Sequence, residues 1–278
     1  MKNLWKKLDL LLLFVRYSFI MNPNDDLGGY WLVGELIAVL SGKGGTGKTS
    51  VCAGIATALA DDGRKILCID CDVGLRNLDI SLGMSESGSL SFLDVCEGDY
   101  QLSQAAVHPL YPSLHFLTAP MNCPPERISA DAFGSMLTEA RAEFDYILLD
   151  APAGVDAGFK LAAACADRCI LVTGPGPAAI RDASRAGELL ELMGKTNIRL
   201  IVNRVSRKMV RAMSLTIDDV MDTAGLPLLG VIPEDRRVTL AAAFSKPLLK
   251  YSRRCPASAA CRRIAKRIQG FPEPITFR

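Results

Sequence analysis

The sequence lacks a hydrophobic run long enough to cross a bilayer. Near its start, residues 10–15 are apolar and follow Lys2, Lys6 and Lys7. A spanning helix needs roughly 20 apolar residues, so this run is too short. Because no small-residue cleavage pattern follows it, we do not expect a secreted protein.

Two interpretations of residues 1–35 stay open. The segment either forms an amphipathic helix at a membrane interface, with Leu4, Leu8 and Leu12 on one face, or it precedes the true start of translation. In the second case the start would be Met21 or Val33, and residues 1–35 would be a disordered or mis-set extension. We therefore treat this segment separately from the domain that follows.

A disulfide framework is also lacking. The nine cysteines are odd in number and scattered, and several lie inside apolar runs where a free thiol packs as a small hydrophobe. Cys68 and Cys71 form a C-x-x-C pair, but no second pair completes a metal site with four ligands. This pattern favours a cytoplasmic protein.

The chain has little net charge, and one region has no acidic residue. A formal net charge of +2 gives no overall indication of a charged partner. Residues 236–272, however, contain many Lys and Arg and neither Asp nor Glu. The region is either a solvated helix face or a surface for the phosphates of anionic lipid or nucleic acid.

From residue 36 onward, short apolar runs alternate with helical stretches, without internal repeats. This alternation predicts an α/β fold with a doubly wound, mostly parallel β-sheet flanked by helices. The predicted strands are residues 36–41, 65–70, 114–117, 146–150, 169–173, 199–203 and 228–232. The predicted helices are residues 49–61, 130–142, 177–193, 217–224 and 258–269. We expect one domain, residues 36–270, followed by a short tail, residues 271–278.

A glycine-rich loop follows the first predicted strand and precedes a helix. Residues 42–49 fit the pattern G-x-x-x-x-G-K-[ST] in the strand, loop and helix context of a P-loop. Glycines let successive backbone N–H groups turn toward phosphate oxygens, and the helix N-terminus adds partial positive charge. The predicted ATP-binding residues are Gly42, Lys43, Gly44, Gly45, Thr46, Gly47, Lys48, Thr49 and Ser50. Lys48 is expected to neutralise the β- and γ-phosphates, and Thr49 to offer a hydroxyl ligand to Mg²⁺.

Carboxylates stand at the ends of two further predicted strands. Asp70 and Asp72 end the strand over residues 65–70, and Asp150 ends the apolar strand over residues 146–150. Strand ends of a parallel sheet line one crevice, so these groups are expected to approach the Mg²⁺ shell and the attacking water. We predict Asp70 and Asp150 as metal-site residues and Asp72 as a catalytic residue.

The runs K-G-G-T-G-K-T, D-V-G-L-R-N-L-D and D-A-P-A-G resemble the motifs of the MinD/ParA family of deviant Walker A P-loop ATPases. The resemblance covers residues 36–269. It implies that Lys43 reaches the nucleotide of the partner subunit in an ATP-dependent homodimer, that Asp72 positions the attacking water, and that the segment through Asp156 is a mobile switch. It also implies adenine contacts, which we list as Asn203, Pro233 and Asp235.

The same resemblance implies an ATP hydrolase that acts in placing a division site. Its expected partners are a MinC-like division inhibitor, a MinE-like or other stimulating protein, and the anionic inner membrane, to which a cytoplasmic protein would bind peripherally. The short amphipathic C-terminal helix of such proteins has no counterpart here, because Pro272 and Pro274 interrupt the tail. The anchor would then be the N-terminal segment or the basic stretch 262–267.

Two other functions stay open at this stage. A ParA-like partition ATPase would bind nonspecific DNA through the basic C-terminal region, with an affinity that falls steeply with salt. Binding to nucleic acid is less favoured than the division-site function. An iron–sulfur carrier ATPase would need a cysteine pair at a dimer interface, and Cys255 and Cys261 lack that spacing.

Overall fold

The computed structural model describes residues 33–73, 75–85, 87–121, 123, 127–206, 208 and 216–275. Residues 1–32, which hold the predicted interfacial helix, lie outside the described residues, as do residues 276–278 of the tail. Within the described part, no helix combines the length and apolar character that a bilayer-spanning segment requires.

The described chain forms one eight-stranded sheet in the order β3-β4-β2-β5-β1-β6-β7-β8. Every neighbouring pair is parallel except β3 and β4, which are antiparallel at one edge. The strands are β1 Glu35–Leu40, β2 Ile66–Asp70, β3 Ala106–His108, β4 Tyr111–Leu117, β5 Tyr146–Asp150, β6 Arg168–Thr173, β7 Ile198–Val205 and β8 Leu228–Pro233. The predicted doubly wound, mostly parallel α/β fold is confirmed.

The described residues form ten α-helices, which cover both faces of the sheet; seven lie between strands and the last three follow β8. They are α1 Lys48–Asp61, α2 Leu78–Leu82, α3 Phe92–Cys96, α4 Ala130–Glu143, α5 Ala157–Cys165, α6 Pro177–Leu192, α7 Ile217–Ala224, α8 Arg236–Ala243, α9 Leu248–Tyr251 and α10 Pro256–Ile268. A 3₁₀ turn at Leu102–Gln104 precedes β3.

The core has two layers because the central strands are apolar on both faces. In β1, Leu36, Ala38 and Leu40 face one layer, and Ile37 and Val39 face the other. This alternation follows from the period of two residues along a strand. Because β1, β2, β5 and β7 are parallel, their carboxyl ends lie on the same side of the sheet. The loops that follow these strands therefore lie together there, along what we call the carboxyl edge.

The basic C-terminal region is less exposed than the sequence suggests. Acids from the end of α1 and the residue after it come back to it: Arg253 pairs with Asp61 at 2.9 Å and Lys266 with Asp62 at 3.1 Å. Arg267 donates to the backbone carbonyls of Leu229, Glu273 and Pro274. Much of the positive charge of α10 is therefore used within the fold.

Candidate nucleotide site

The loop between β1 and α1 has the backbone that a phosphate site requires. Gly45 and Gly47 have φ values of +81° and +84°, which side chains other than glycine rarely adopt. At Gly42 a Cβ would lie 2.3 Å from the carbonyl oxygen of Asp182, so the loop packs directly on α6. Helix α1 has no side-chain cap at its N-terminus, which leaves N–H groups of its first turn available to an anion.

Neighbouring strand ends hold this loop in place. Asn203 Nδ2 donates to the carbonyl of Thr46 at 2.8 Å, and Arg204 Nη1 donates to the carbonyl of Gly45 at 3.0 Å. From the other side, the backbone N–H of Gly154, after β5, donates to the carbonyl of Ser41 at 3.1 Å. The loop is thus fixed between the ends of β5 and β7.

Lys48 is buried and forms an ion pair with Asp150, with 2.5 Å between Nζ and Oδ1. Burial raises the pKa of Asp150, while Lys48 and the side chain of Thr49 lower it. In this structure the anionic partner of Lys48 is therefore the Asp150 carboxylate. A phosphate would have to draw Lys48 away from Asp150.

The Asp70 carboxylate organises the loop that carries Asp72. Its Oδ1 accepts from the N–H of Asp72 at 2.9 Å, and its Oδ2 accepts from the N–H of Leu78 at 3.1 Å. Burial, and next the nearby Asp150, raise the pKa of Asp70 to about 6. Both oxygens of Asp70 are engaged by backbone donors, so its role in holding a metal stays a prediction.

Asp72 is half-buried, and its pKa is raised by burial and lowered by Lys48. The interaction with Lys48 puts this carboxylate on the same side of the crevice as the phosphate loop. Lys43, by contrast, is exposed at the surface of the loop. The position of Asp72 fits its predicted role at the attacking water. The exposure of Lys43 fits its predicted reach toward a partner subunit.

A cavity of about 490 Å³ opens beside the loop, between the ends of β7 and β8 and helix α8. The predicted residues Gly47, Ser50, Asn203, Pro233 and Asp235 all line it. Asp235 also caps α8, accepting from the N–H of Arg237 at 3.0 Å. Burial raises the pKa of this carboxyl, but the hydrogen bonds from Arg237, Ala257 and Cys255 together outweigh burial, so its pKa is lowered.

The structure brings together, at the carboxyl ends of the strands, the residues predicted to contact phosphate, metal and adenine. The Asn203 amide faces the loop carbonyl of Thr46, so its predicted contact with adenine stays a prediction. The family resemblance placed Arg204 only within the stretch expected near adenine; its bond to the loop carbonyl of Gly45 was not predicted, and it also lines the cavity. Its position directly after Asn203, at the end of a predicted strand, was the available signal.

The residues present fit a nucleotide with Mg²⁺. Within the part of the chain that the structure describes, Ser41 Oγ, Thr46 Oγ1 and Asp150 Oδ2 are buried without a hydrogen-bond partner. Such atoms are rare in folded proteins and indicate a missing partner. Among the same residues, no group of three or more His, Cys, Asp or Glu side chains could hold a metal ion. Mg²⁺ would still fit, because it binds through one or two protein oxygens and otherwise through water and phosphate.

A phosphate loop after the first strand of a parallel sheet, with its lysine on the aspartate of a neighbouring strand, defines the P-loop class of nucleotide-binding domains. The chain belongs to the CobQ/CobB/MinD/ParA nucleotide-binding domain family, whose model matches residues 37–248.

Relatives in this family are similar over most of their length. A septum site-determining protein MinD from Synechocystis is 36% identical over 243 residues, which are 87% of this chain and 91% of the relative. The corresponding protein of Bacillus subtilis is 35% identical over 249 residues, 87% of this chain and 92% of the relative.

Solved structures agree with these relatives. The MinC:MinD cell division protein complex of Aquifex aeolicus matches with a TM-score of 0.81 and 35% identity, over 88% of this chain and 99% of that chain. A MinD complexed with Mg-ADP from Pyrococcus horikoshii matches with a TM-score of 0.74 and 29% identity, over 84% and 96%. The chain is accordingly a P-loop ATP hydrolase.

Proposed function

We propose that this protein is an ATP-dependent switch in the placement of the division site. In the ATP state it forms a homodimer that binds an anionic membrane and a MinC-like inhibitor. A stimulating protein then triggers hydrolysis and release. One observation supports this proposal most strongly. Over 88% of its length, the chain matches a chain of the Aquifex MinC:MinD cell division protein complex with 35% identity.

The chemistry of the site supports the same proposal. Lys48 would neutralise the β- and γ-phosphates, Thr49 and Asp150 would hold Mg²⁺, and Asp72 would orient the attacking water. Bound Mg²⁺ would neutralise charge that develops on the phosphates. Catalysis of this kind rests on positioning and electrostatics.

The ion pair between Lys48 and Asp150 suggests how nucleotide binding changes the site. When Lys48 moves to phosphate, Asp150 gains freedom to serve the metal. Gly154 is bonded to the loop through Ser41, and its φ is +94°, so it can absorb a backbone change. Nucleotide binding would thus alter the segment after β5, which includes Asp156.

The first experiment is sedimentation of the full chain with vesicles that contain phosphatidylglycerol, in ATP and in ADP. We expect the protein to pellet with the vesicles in ATP and to stay in solution in ADP. Binding of duplex DNA, measured in parallel, tests the partition alternative. Salt-sensitive DNA binding in ATP without vesicle binding would replace the proposed function with that alternative.

Two substitutions locate the membrane contact in the same assay. Leu12→Asp places a charge in the apolar N-terminal run, and Arg254→Glu reverses a charge at an exposed position of the basic region. Since much of the charge of α10 is already paired, we expect Leu12→Asp to abolish pelleting and Arg254→Glu to weaken it slightly. The reverse pattern would assign the contact to the basic region.

The cross-subunit role of Lys43 is tested by Lys43→Ala. Because Lys43 is exposed, we expect the variant to fold and to bind ADP like the unmodified chain. In ATP it should stay monomeric in sedimentation velocity, while the unmodified chain dimerises. A variant that dimerises with full strength would remove Lys43 from the dimer interface.

A further inference from the structure

The end of β7 holds the phosphate loop through two consecutive side chains, which a regular strand does not allow. Successive side chains of a strand point to opposite faces. Here Asn203 and Arg204 both bond to the loop, to the carbonyls of Thr46 and Gly45. The register between β7 and β8 shifts between Val202 and Val205, and a shift of this kind re-aims side chains.

The backbone of Arg204 supports a dedicated role. Its φ is +55°, in the left-handed region that residues with a Cβ rarely occupy. Such conformations persist where the surrounding structure enforces them, and they cluster at binding sites. In this conformation the Arg204 guanidinium reaches Gly45 although the preceding residue reaches Thr46.

The two loop carbonyls determine where the next two N–H groups point. In a planar trans peptide, the C=O of one residue and the N–H of the next point in opposite directions. A carbonyl of Gly45 held by Arg204 therefore turns the N–H of Thr46 to the opposite side, and a carbonyl of Thr46 held by Asn203 does the same for the N–H of Gly47. These N–H groups are among those that a P-loop aims at phosphate oxygens.

Close packing leaves no room for a side chain at Gly47. A Cβ at Gly47 would lie 2.5 Å from Asn203 Nδ2 and 3.6 Å from Arg204 Nε. The loop thus contacts both side chains directly.

We infer that Arg204, together with Asn203, is a positioning residue for the phosphate loop: by binding the carbonyls of Gly45 and Thr46, it aims the following N–H groups at phosphate. This inference rests on the proposed nucleotide function and deepens it. It differs from a contact of Asn203 with the adenine base, because it acts on the phosphates of any nucleotide.

The experiment compares Mg²⁺-ADP with Mg²⁺-pyrophosphate, a pair that shares the diphosphate and differs by the nucleoside. Calorimetry on the full chain measures both dissociation constants for Arg204→Ala, Arg204→Lys, Arg204→Gly and Asn203→Ala. Arg199→Ala is the matched control, because Arg199 lies at the other end of β7 and bonds to the carbonyl of Ile198. Thermal melts confirm that each variant folds.

We expect Arg204→Ala to weaken ADP and pyrophosphate by the same factor, about fivefold, which is the size of one lost hydrogen bond. Asn203→Ala should weaken both about tenfold, since it leaves the buried side of the loop without its donor. Arg204→Lys keeps a donor and should restore part of the affinity. Arg204→Gly removes the strain but also the donor, so it should behave like Arg204→Ala, and Arg199→Ala should change neither constant.

Several results would overturn the inference. Loss of ADP affinity with pyrophosphate unchanged would mean contact with the nucleoside. A loss that disappears at high salt would mean direct attraction of the guanidinium to phosphate. Unchanged constants in Arg204→Ala would remove any role of this residue. If the unmodified chain bound neither ADP nor pyrophosphate, the proposed function itself would fail, so the two failures are distinguishable.

Discussion

Lys195 and Lys48 lie at opposite edges of the same parallel sheet and have different partners. At the amino edge, Lys195 donates to the carbonyls of Ala164 and Ala166, both at 2.8 Å. Near it, Arg141 pairs with Asp167 at 2.7 Å, and Asp167 also accepts from the N–H of Leu36. These polar groups close the ends of helices and strands.

At the carboxyl edge, Lys48 binds a buried carboxylate, and that carboxylate keeps one oxygen, Asp150 Oδ2, without a hydrogen-bond partner among the described residues. The hydroxyls of Ser41 and Thr46 share this state within the same part of the chain. Polar groups that stabilise a fold find their partners when the chain folds. Groups that bind a ligand keep unused hydrogen-bonding capacity, which fits these three atoms beside the P-loop. The other such atoms among the described residues are His115 Nδ1, Thr118 Oγ1 and Arg168 Nε, and the last of these lies in the ion pair with Glu35.

The largest expected effect is the loss of ATP affinity in Lys48→Ala, compared with Lys195→Ala. Lys48→Ala should reduce ATP affinity by at least about 100-fold, because a charged contact to phosphate is lost. It should also destabilise the nucleotide-free protein by about 3 kcal/mol, since Asp150 stays buried without its partner. Lys195→Ala should lower the melting temperature and leave ATP affinity intact. Calorimetry and thermal melts measure both.

A double variant separates the two roles of Lys48. Lys48→Ala with Asp150→Ala removes the unpaired charge, so stability should recover while ATP binding stays lost. If Lys48→Ala alone kept its affinity for ATP, the assignment of the phosphate site would be wrong.

The second effect concerns catalysis at the carboxyl edge. Asp72→Ala should retain ATP binding and dimerisation, while turnover falls about 100-fold, the usual contribution of a positioned carboxylate to proton transfer. Phosphate release measures turnover, and Asp99→Ala, at an exposed position outside the site, is the control. Undiminished turnover in Asp72→Ala would exclude it from positioning the attacking water.

Much of this architecture could be predicted from the sequence because its signals are local. Each central strand is a short apolar run, and all seven predicted strands are present with bounds that differ by a few residues at most. One strand and five helices of the described part were not predicted. The strand β3 has three residues, α9 has four and α2 and α3 have five each, while α8 has eight and α5 has nine. Segments as short as β3, α9, α2 and α3 are too short to show a hydrophobic period.

The site divides in the same way. The P-loop is one contiguous run, and Asp70, Asp72 and Asp150 each stand at the end of an apolar run, so residue types and spacing are enough to predict them as site residues. The contacts of Asn203 and Arg204 with the loop join residues more than 150 positions apart and depend on the register shift between β7 and β8. The pairing of Lys48 with Asp150 depends likewise on the order of the strands. Neither set of contacts is specified by the residue pattern, which shows only that Asn203 and Arg204 stand at the end of a predicted strand.

The third and smallest effect is a pH dependence that arises from the burial of Asp70, with a further contribution from the nearby Asp150. Burial raises the pKa of Asp70 to about 6 from its ordinary 3.8. A carboxyl whose pKa is raised by folding contributes stability that is fully present below about pH 4 and is lost as the pH rises through about 6. From pH 7 to pH 5, the nucleotide-free protein should therefore gain about 1 kcal/mol from this group.

Urea unfolding gives the free energy of unfolding of the unmodified chain and of Asp70→Asn at pH 7 and at pH 5. The gain is the difference between the two proteins in how much this free energy changes with pH. The amide does not titrate, so the stability advantage of the unmodified chain over Asp70→Asn should be larger at pH 5. Asp219, whose pKa is lowered by its hydrogen bonds with Thr216, should give a contribution of opposite sign when Asp219→Asn is compared in more acidic solution. Equal changes of stability with pH for the unmodified chain and Asp70→Asn would mean that burial and the nearby Asp150 do not raise the pKa of Asp70. The contrast between the two edges of the sheet would then rest on Lys48 and Asp150 alone.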